Sequence, residues 1–414
     1  MEAPLPDSPL DPTPPSDSPK TRRFPGGFEL AEARVLYGTS AVYALRMLGV
    51  YLAFPVLSPY AKSLPDSTPL LVGLSVGAYG LTQAIFQIPI GNLGDRIGRG
   101  RALALGLLLF GAGSAVCALA TNAPVLVLGR LVQGAGAMAS TMIALLGDRT
   151  REVVRTRAMA AMGMFIGGAF ALGLVFGGTL AKRFGMPALF GFSAVASVVG
   201  LAVLPWALRR GPEHGHHVAG VPLSPRAVMA VLARPALLTL DIGILLLHLG
   251  LTALFVVLPI RLTPLLSPSD QGKLYAPALA VGFVSMWLSS HFAETRRGAL
   301  IVLASGSVCL AIGLVSLAFG HSVRSLAIAL GFYVVGFASL EPTLAANVTR
   351  HADPVMRGTA AGLFNTVQFF GVFLGGLAAG AVLGHAEPVL FVSLAGIQLL
   401  WFLGARVPLS RAPS

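Results

Sequence analysis

Three side chains that can exchange a proton lie within long apolar stretches of the sequence. Asp241 and His248 are seven residues apart, so in a helix they share one face and lie about 10 Å apart along its axis. Glu341 directly precedes Pro342 in a different stretch. Carboxyl groups removed from water can take up and release protons near neutral pH. The sequence predicts proton binding by Glu341, Asp241 and His248, in that order. The alternatives are exposed helix-end acids and a packing histidine.

Arg130 is a permanent cation in an apolar stretch, within Arg130-Leu131-Val132-Gln133-Gly134-Ala135-Gly136. A guanidinium at the centre of a membrane helix costs about 2.5–3.5 kcal/mol on insertion scales. We therefore expect Arg130 to face a partner or water inside the protein. The alternative is an arginine that extends towards the membrane surface from a position near the helix end.

Further polar side chains occur at helical spacing. Gln83 and Gln87 are four residues apart and Asn365 and Gln368 are three apart, so each pair shares a helix face. Such residues either line a central cavity or form hydrogen bonds between neighbouring helices. The residues predicted to line the cavity and contact a substrate are Arg46, Gln83, Gln87, Gln133, Asn365 and Gln368.

The elements that carry these residues are membrane helices. Hydrophobic residues make up 55% of the 414-residue chain and charged residues only 11%, against about 25% charged in soluble domains. Apolar runs of about 20 residues, the length that crosses a bilayer, occur twelve times. They are 38–58, 70–90, 102–120, 124–145, 158–181, 187–208, 236–259, 274–292, 298–319, 325–346, 358–381 and 388–405. The prediction is an all-α integral membrane protein with twelve transmembrane helices in two pseudo-symmetric six-helix bundles.

The net charge of +12 follows membrane orientation. With the N-terminus in the cytoplasm, 21 of the 29 Lys and Arg residues fall on the cytoplasmic side, six outside and two within predicted spans. This bias predicts a multi-pass protein with both termini in the cytoplasm. A contiguous basic face on a soluble module is absent from the sequence, so nucleic-acid binding is not expected.

The predicted boundaries divide the chain into two similar halves. A disordered, Pro-rich cytoplasmic tail spans 1–33, six-helix bundles span 34–208 and 235–407, a cytoplasmic linker spans 209–234, and a short tail spans 408–414. The linker holds His214, His216 and His217, for which solvent exposure is favoured over metal binding. The sequence has no catalytic cluster and only two cysteines, Cys117 and Cys309, so we expect no enzyme activity, metal site or disulfide.

An internal repeat supports this division. Asp148-Arg149-Thr150-Arg151 precedes the fifth predicted span, and Asn347-Val348-Thr349-Arg350 precedes the eleventh. Parallel repeats of this kind are typical of transporters whose transport path runs between the two halves.

The loop Gly91-Asn92-Leu93-Gly94-Asp95-Arg96-Ile97-Gly98-Arg99-Gly100-Arg101 resembles the motif between the second and third helices of major facilitator superfamily transporters. The Arg130 segment resembles the superfamily's fourth-span motif. Spans one, two and ten are similar to the YajR-type subgroup of the drug–proton antiporter family, without that subgroup's C-terminal soluble domain. The antiporter Gly-Pro pair in span five is missing, because Leu174 follows Gly173.

The resemblance implies roles for these residues. Asp95 is expected to face the N-terminus of the eleventh span, where the helix dipole attracts a carboxylate. It would form a cytoplasmic latch, closed while the central cavity opens outward. The latch residues are Asp95, Arg96, Arg99, Asp148 and Arg357, and Arg130 is implied to assist proton movement.

The implied function is export of small lipophilic or amphipathic molecules in exchange for protons, by a monomer in a bacterial inner (plasma) membrane. Its partners would be the substrate, protons and membrane lipid, with no cofactor. Two alternatives remain: a proton symporter or facilitator for a sugar or metabolite, and a non-transporting membrane sensor.

Overall fold

The computed structural model describes residues 24, 27–209 and 225–411. Fourteen α-helices lie in these residues, together with one 3-10 turn at Pro354–Met356. The helices are α1 (Leu30–Ser63), α2 (Pro69–Ile97), α3 (Arg99–Ala118), α4 (Ala123–Ala135), α5 (Ala139–Asp148), α6 (Glu152–Phe184), α7 (Met186–Ala207), α8 (Pro225–Leu232), α9 (Pro235–Leu262), α10 (Gly272–Phe292), α11 (Arg296–Phe319), α12 (Val323–His351), α13 (Arg357–Val382) and α14 (Glu387–Arg411). The linker histidines His214, His216 and His217 lie outside the described residues.

The predicted all-α membrane fold is confirmed. Within the described residues, 11 helices are long and apolar enough to cross a membrane, with α4 and α5 counted together as one span. The remaining predicted span corresponds to α10, a 21-residue helix whose hydropathy is lowered by Lys273, Pro277 and His291. α10 packs along α12 and α6, so it occupies a helix position of the bundle despite its composition.

The described helices form two bundles with the same internal arrangement. In the first half, α1 packs on α6 and α7, and α3 packs on α4 and α7. In the second half, α9 packs on α13 and α14, and α11 packs on α12 and α14. The halves meet through α2 against α13, α6 against α10, and α1 against α9.

The two ends of the assembly differ. We call the end where α1 begins and α14 ends the terminal face, and the other end the opposite face. Near the opposite face, α2 and α13 cross at Gly73, Gly77, Gly376 and Gly380, which we call the seam glycines. A Cβ on Gly380 would lie 2.9 Å from the carbonyl oxygen of Pro69. The helices touch there backbone to backbone, which only glycine permits.

A loop between α9 and α10 extends the closure at the opposite face. The hydroxyl of Thr179 donates to the carbonyl of Ser269 at 3.2 Å, and the Lys182 ammonium donates to the Ser269 hydroxyl at 3.2 Å. Lys273, hydrogen-bonded to Asp270 at 2.7 Å, holds the pKa of that carboxyl below its usual value. The first and second halves are therefore joined by polar contacts as well as by the seam glycines.

The fourth span is two helices, which corrects the prediction of a continuous helix over 124–145. α4 ends at Ala135 and α5 begins at Ala139. A Cβ on Gly136 would lie 2.9 Å from the backbone nitrogen of Phe110, so α3 approaches this segment too closely for a side chain. The break leaves the Gly136 carbonyl free to accept a bond from another helix, as described below.

The N-terminal boundary also differs from the sequence expectation. α1 begins at Leu30, before the predicted start of the bundle at residue 34. Glu32 in its first turn is 1% exposed and accepts hydrogen bonds from the backbone nitrogen and side chain of Arg151. This ion pair joins the start of α1 to the turn between α5 and α6, and it draws residues 30–33 into the helix.

Candidate functional site

A cavity of about 380 Å³ lies between the two halves. Residues from α1, α2, α5, α6, α9, α10, α12 and α13 line it. Phe54 of α1 and Phe255 of α9 pack edge to face, 5.0 Å between ring centroids, and form part of its floor towards the opposite face. The hydroxyl of Ser58 also donates to the carbonyl of Phe255 at 3.3 Å. The cavity is thus closed at the opposite face.

Towards the terminal face the cavity is open. Ile143 and Met286, which line it on that side, are 41% and 38% exposed. Across this opening, no ion pair or hydrogen bond between the two halves is found among the described residues. The two halves are therefore in contact at the opposite face and separated at the terminal face.

Most of the lining is apolar and aromatic, and sequence reasoning missed it. The aromatic residues come from seven of the eight helices, one to three from each, at positions with no local motif. Their signal in the sequence is the same as that of ordinary core residues. They are Tyr43, Tyr51, Phe54, Tyr79, Phe170, Phe255, Tyr275, Phe283, Tyr333, Phe337 and Phe369.

A polar cluster lies on the wall formed by the second half. The side-chain nitrogens His248 Nε2 and Gln368 Nε2 are 2.8 Å apart, and His248 Nε2 is 3.8 Å from Glu341 Oε1. Asn365 lines the cavity on the same helix as Gln368. The structure thus brings together four residues predicted from the sequence as proton or cavity residues, carried by α9, α12 and α13.

The surroundings of His248 define its hydrogen bonds. Its Nδ1 lies 3.2 Å from the carbonyl of Ile244, so Nδ1 carries the proton that donates there. In the neutral ring Nε2 then accepts from the Gln368 amide. The Phe337 ring meets the imidazole at an angle, 5.3 Å between centroids. A proton arriving at Nε2 would come to lie beside the Glu341 carboxylate, whose side chain is 41% exposed.

Asp241 is not part of this cluster. It is 4% exposed in α9, does not line the cavity, and its Oδ2 has no hydrogen-bond partner among the described residues. It lies two turns closer to the terminal face than His248. The seven-residue spacing predicts that Asp241 and His248 share one face of α9. At the height of Asp241, however, neighbouring helices cover that face.

Arg46 was predicted to line the cavity, but it is not a lining residue. It lies behind Tyr79, which does line the cavity. It is 1% exposed and its Nη2 donates to the hydroxyl of Tyr79 and to the carbonyl of Gly136, each at 3.0 Å. Its guanidinium carbon lies 4.7 Å from the Phe110 ring centroid. The helix break after α4 supplies the carbonyl that Arg46 binds.

The remaining polar residues of the first half are also buried away from the cavity. Gln83, Gln87 and Gln133 are 0–1% exposed and are not among the residues that line the cavity in this structure. Gln133 donates to the Ser114 hydroxyl at 2.8 Å and accepts a short bond from Arg130. Hydrogen bonding between helices is thus seen for Gln133, and Gln83 Oε1 accepts from Arg46 at 3.5 Å. Gln87 has both polar side-chain atoms buried without a hydrogen-bond partner among the described residues.

Arg130 lies wholly inside the first half. It is 0% exposed, donates through Nε to the carbonyl of Ser75 at 3.0 Å, and stacks 5.0 Å from the centroid of the Tyr79 ring. An arginine extending to the membrane surface is therefore excluded. Arg46 and Arg130 thus both contact Tyr79, Arg46 at the hydroxyl and Arg130 at the ring.

Three of the five predicted latch residues, Asp95, Arg99 and Asp148, form a cluster within the first half. Arg99 binds Asp148 at 2.6 Å and Asp95 at 3.5 Å. The Asp95 side chain is 63% exposed, and within the described residues it has no ion pair or hydrogen bond to α13. Arg96 and Arg357 are exposed. Because the halves are apart on this face, the contact between Asp95 and the start of α13 stays a prediction for a state closed there.

Two pseudo-symmetric helical bundles with a central cavity between them define a membrane transporter of the two-bundle type. The model of the Major Facilitator Superfamily matches residues 39–376. The chain belongs to this superfamily.

Curated relatives are similar along most of the chain. The Escherichia coli inner membrane transport protein YajR is 35% identical over 376 residues, which cover 89% of this chain and 82% of YajR. The Staphylococcus aureus quinolone resistance protein NorA is 27% identical and covers 86% of this chain and 93% of its own. These relatives are transporters rather than enzymes.

A solved structure has the same fold. A bacterial homologue of the human lysosomal transporter Spinster, described as inward-facing and unoccupied, superposes with a TM-score of 0.74 at 17% identity. The match covers 94% of this chain and 100% of that structure.

Proposed function

We propose that this transporter exports small amphipathic molecules in exchange for protons by alternating access. The observation that carries the proposal is the central cavity, whose aromatic wall holds one polar cluster. Among the described residues that line it, Glu341 is the one carboxylate. An apolar body fits the aromatic residues, and the carboxylate supplies a site for a proton or for a cationic group of the substrate.

Proton coupling is assigned to Glu341 with His248 beside it. An acid within a membrane helix is costly and marks a proton or substrate path. Glu341 is accessible from the cavity and lies beside His248, which contacts Gln368. A proton and a cationic substrate therefore compete for the Glu341 carboxylate. Such competition couples the two fluxes. The similarity to NorA, a quinolone resistance protein, supports export of drug-like molecules.

The orientation follows from charge. The arginines Arg96, Arg99, Arg101, Arg149 and Arg151 all lie at the terminal face, and positive charge favours the cytoplasmic side. Both termini therefore lie in the cytoplasm of a bacterial inner membrane, and this conformation is open to the cytoplasm. It further treats the protein as a monomer surrounded by lipid.

The test uses purified full-length protein in proteoliposomes with an acidic lumen. Addition of cationic aromatic dyes is expected to raise the luminal pH with wild-type protein, because the dye enters as protons leave. Glu341→Gln should lose this response. Glu294→Gln, which changes an acid that is 71% exposed at the terminal face, serves as the matched control and should keep it.

Other outcomes identify the alternatives. Luminal pH changes evoked by sugars or metabolites, in the direction of co-transport, would favour the symporter. No response to any compound would overturn export and favour a membrane sensor. A full response in Glu341→Gln would exclude Glu341 from coupling.

A further inference from the structure

The helices of the two halves carry ionisable groups of opposite sign, buried cations in the first half and acids in the second. Arg46 and Arg130 are the buried cations of the first half, at 1% and 0% exposure. In the second half the acids remote from helix ends are Asp241 and Glu341, of which Glu341 reaches the cavity. When Glu341 is ionised, the cavity between the halves therefore lies in a field directed from the first half to the second.

The positive charge of the first half has no carboxylate to balance it. The acids of its described residues, Glu29, Glu32, Asp66, Asp95, Asp148 and Glu152, lie at helix ends or in turns. Within the described residues, Nε and Nη1 of Arg46 and Nη2 of Arg130 are buried without hydrogen-bond partners. Carbonyl oxygens and aromatic faces stabilise a guanidinium only in part. An anionic group near this wall would be stabilised.

Tyr79 connects the buried cations to the cavity. Its ring lines the cavity, and its hydroxyl oxygen accepts the 3.0 Å bond from Arg46 Nη2. A hydroxyl that accepts a bond from a cation becomes a stronger donor. Within the described part of the chain, the Tyr79 hydroxyl proton has no acceptor. Tyr43 also lines the cavity, with its ring centroid 5.8 Å from the Arg46 guanidinium carbon.

From this arrangement we infer that the cavity selects dipolar amphiphiles, in which an aromatic body carries an anionic or acceptor group as well as a cationic one. The anionic group lies at Tyr79 and Tyr43, in front of Arg46. The cationic group lies at Glu341 on the facing wall. Arg46 is a specificity-determining positioning residue that acts through Tyr79 and does not touch the substrate. The inference rests on the proposed function, since it takes the central cavity as the substrate site.

The test compares two dyes that differ in one group: a rhodamine with a free carboxylate, and its methyl ester, which is purely cationic. Binding to purified full-length protein is measured by fluorescence anisotropy at one fixed neutral pH. We expect the carboxylate dye to bind about tenfold more tightly than the ester, a ratio equivalent to about 1.4 kcal/mol.

Variants of Arg46 and Tyr79 test whether these residues cause the difference in affinity between the two dyes. Arg46→Met and Tyr79→Phe should bring the ratio to about one mainly by weakening binding of the carboxylate dye, while Arg46→Lys should retain the preference. Tyr275→Phe is the matched control, because Tyr275 also lines the cavity but its buried hydroxyl has no partner within the described residues. It should leave the ratio unchanged. If Arg46→Met does not fold, Tyr79→Phe tests the same link without removing a charge.

Equal affinities of the two dyes in the wild type would overturn the inference. So would failure of both dyes to bind, or a ratio that survives in Tyr79→Phe. Because binding is measured without a proton gradient, these outcomes are separate from failure of proton-coupled export, which is read from luminal pH.

Discussion

Gly376 and Gly77 bring the backbones of α13 and α2 into direct contact across the two halves. A Cβ on Gly376 would lie 2.6 Å from the Cα of Gly77, and a Cβ on Gly77 would lie 2.9 Å from the Cα of Gly376. Neither backbone can move aside unless the helices separate. The seam glycines therefore stabilise specifically the state in which the opposite face is closed.

Gly376→Ala is expected to open the opposite face. Overpacking of a close contact costs about 1–3 kcal/mol, enough to raise the population of the other state about fivefold or more. The measurement is alkylation of Phe54→Cys, at the cavity floor, by a membrane-impermeant maleimide added from the opposite face. The background carries alanine in place of Cys117 and Cys309.

The adjacent glycine provides the control. Gly375 faces its own half, where an added Cβ would lie 2.9 Å from Thr252 Cβ on α9. Gly375→Ala should lower thermal stability without raising alkylation. Equal labelling of the two variants would contradict a role of the seam in conformational choice.

Asp95→Asn is expected to slow transport about fivefold, because a carboxylate at a helix N-terminus contributes about 1 kcal/mol. The loss arises in the state closed at the terminal face, where the latch is proposed to form. Initial rates of dye transport in proteoliposomes measure it, and the amount of inserted protein should be unchanged. Asp66→Asn, at an exposed acid of the opposite face with a φ of 56°, is the control that should transport normally. Wild-type rates in Asp95→Asn would exclude the latch.

The sequence predicted the helices because their signal is local. Runs of apolar residues and the bias of Lys and Arg predicted the membrane fold, and the internal repeat predicted its two halves. The break after α4 was missed, although Gly134 and Gly136 mark it, because only the close approach of Phe110 on α3 makes the interruption necessary.

The residues that line the cavity were predicted only in part, because the lining depends on which face of each helix is directed towards the cavity. Spacing showed that Gln83 and Gln87 share a face, but it did not show that this face packs inside the first half. Asn365 and Gln368 have the same kind of spacing, yet they line the cavity. The aromatic wall has no sequence motif and emerges only from the packing of eight helices.

Asp241→Asn is expected to keep proton-dependent transport, whereas Glu341→Gln loses it. Asp241 is buried and does not line the cavity, while Glu341 lines the cavity beside His248. Transport rates with and without a pH gradient measure the difference, and Asp241→Asn should keep the ratio of the two rates within about twofold. Loss of gradient dependence in Asp241→Asn, with Glu341→Gln unaffected, would reverse the assignment.

Glu32→Gln tests whether the start of α1 belongs to the folded bundle. The Glu32 carboxylate accepts from the backbone nitrogens of Glu29 and Arg151, both at 2.8 Å, and from Arg151 Nε at 2.9 Å and Nη2 at 3.0 Å. A glutamine removes the charge and turns one acceptor into a donor that faces other donors. Bonds to a buried charge contribute about 1.5–3 kcal/mol, and partial exposure of Arg151 reduces the expected loss to about 2 kcal/mol.

Thermal unfolding of purified protein in one detergent measures this loss, and Glu152→Gln, at the exposed neighbour in the first turn of α6, should unfold as the wild type does. Dye transport per folded molecule should be normal in both variants, because Glu32 lies far along α1 from the cavity residues Tyr43 and Phe54. Unchanged thermal stability in Glu32→Gln would mean that the helix start contributes nothing to the bundle and that the first half is held together from residue 34 onward.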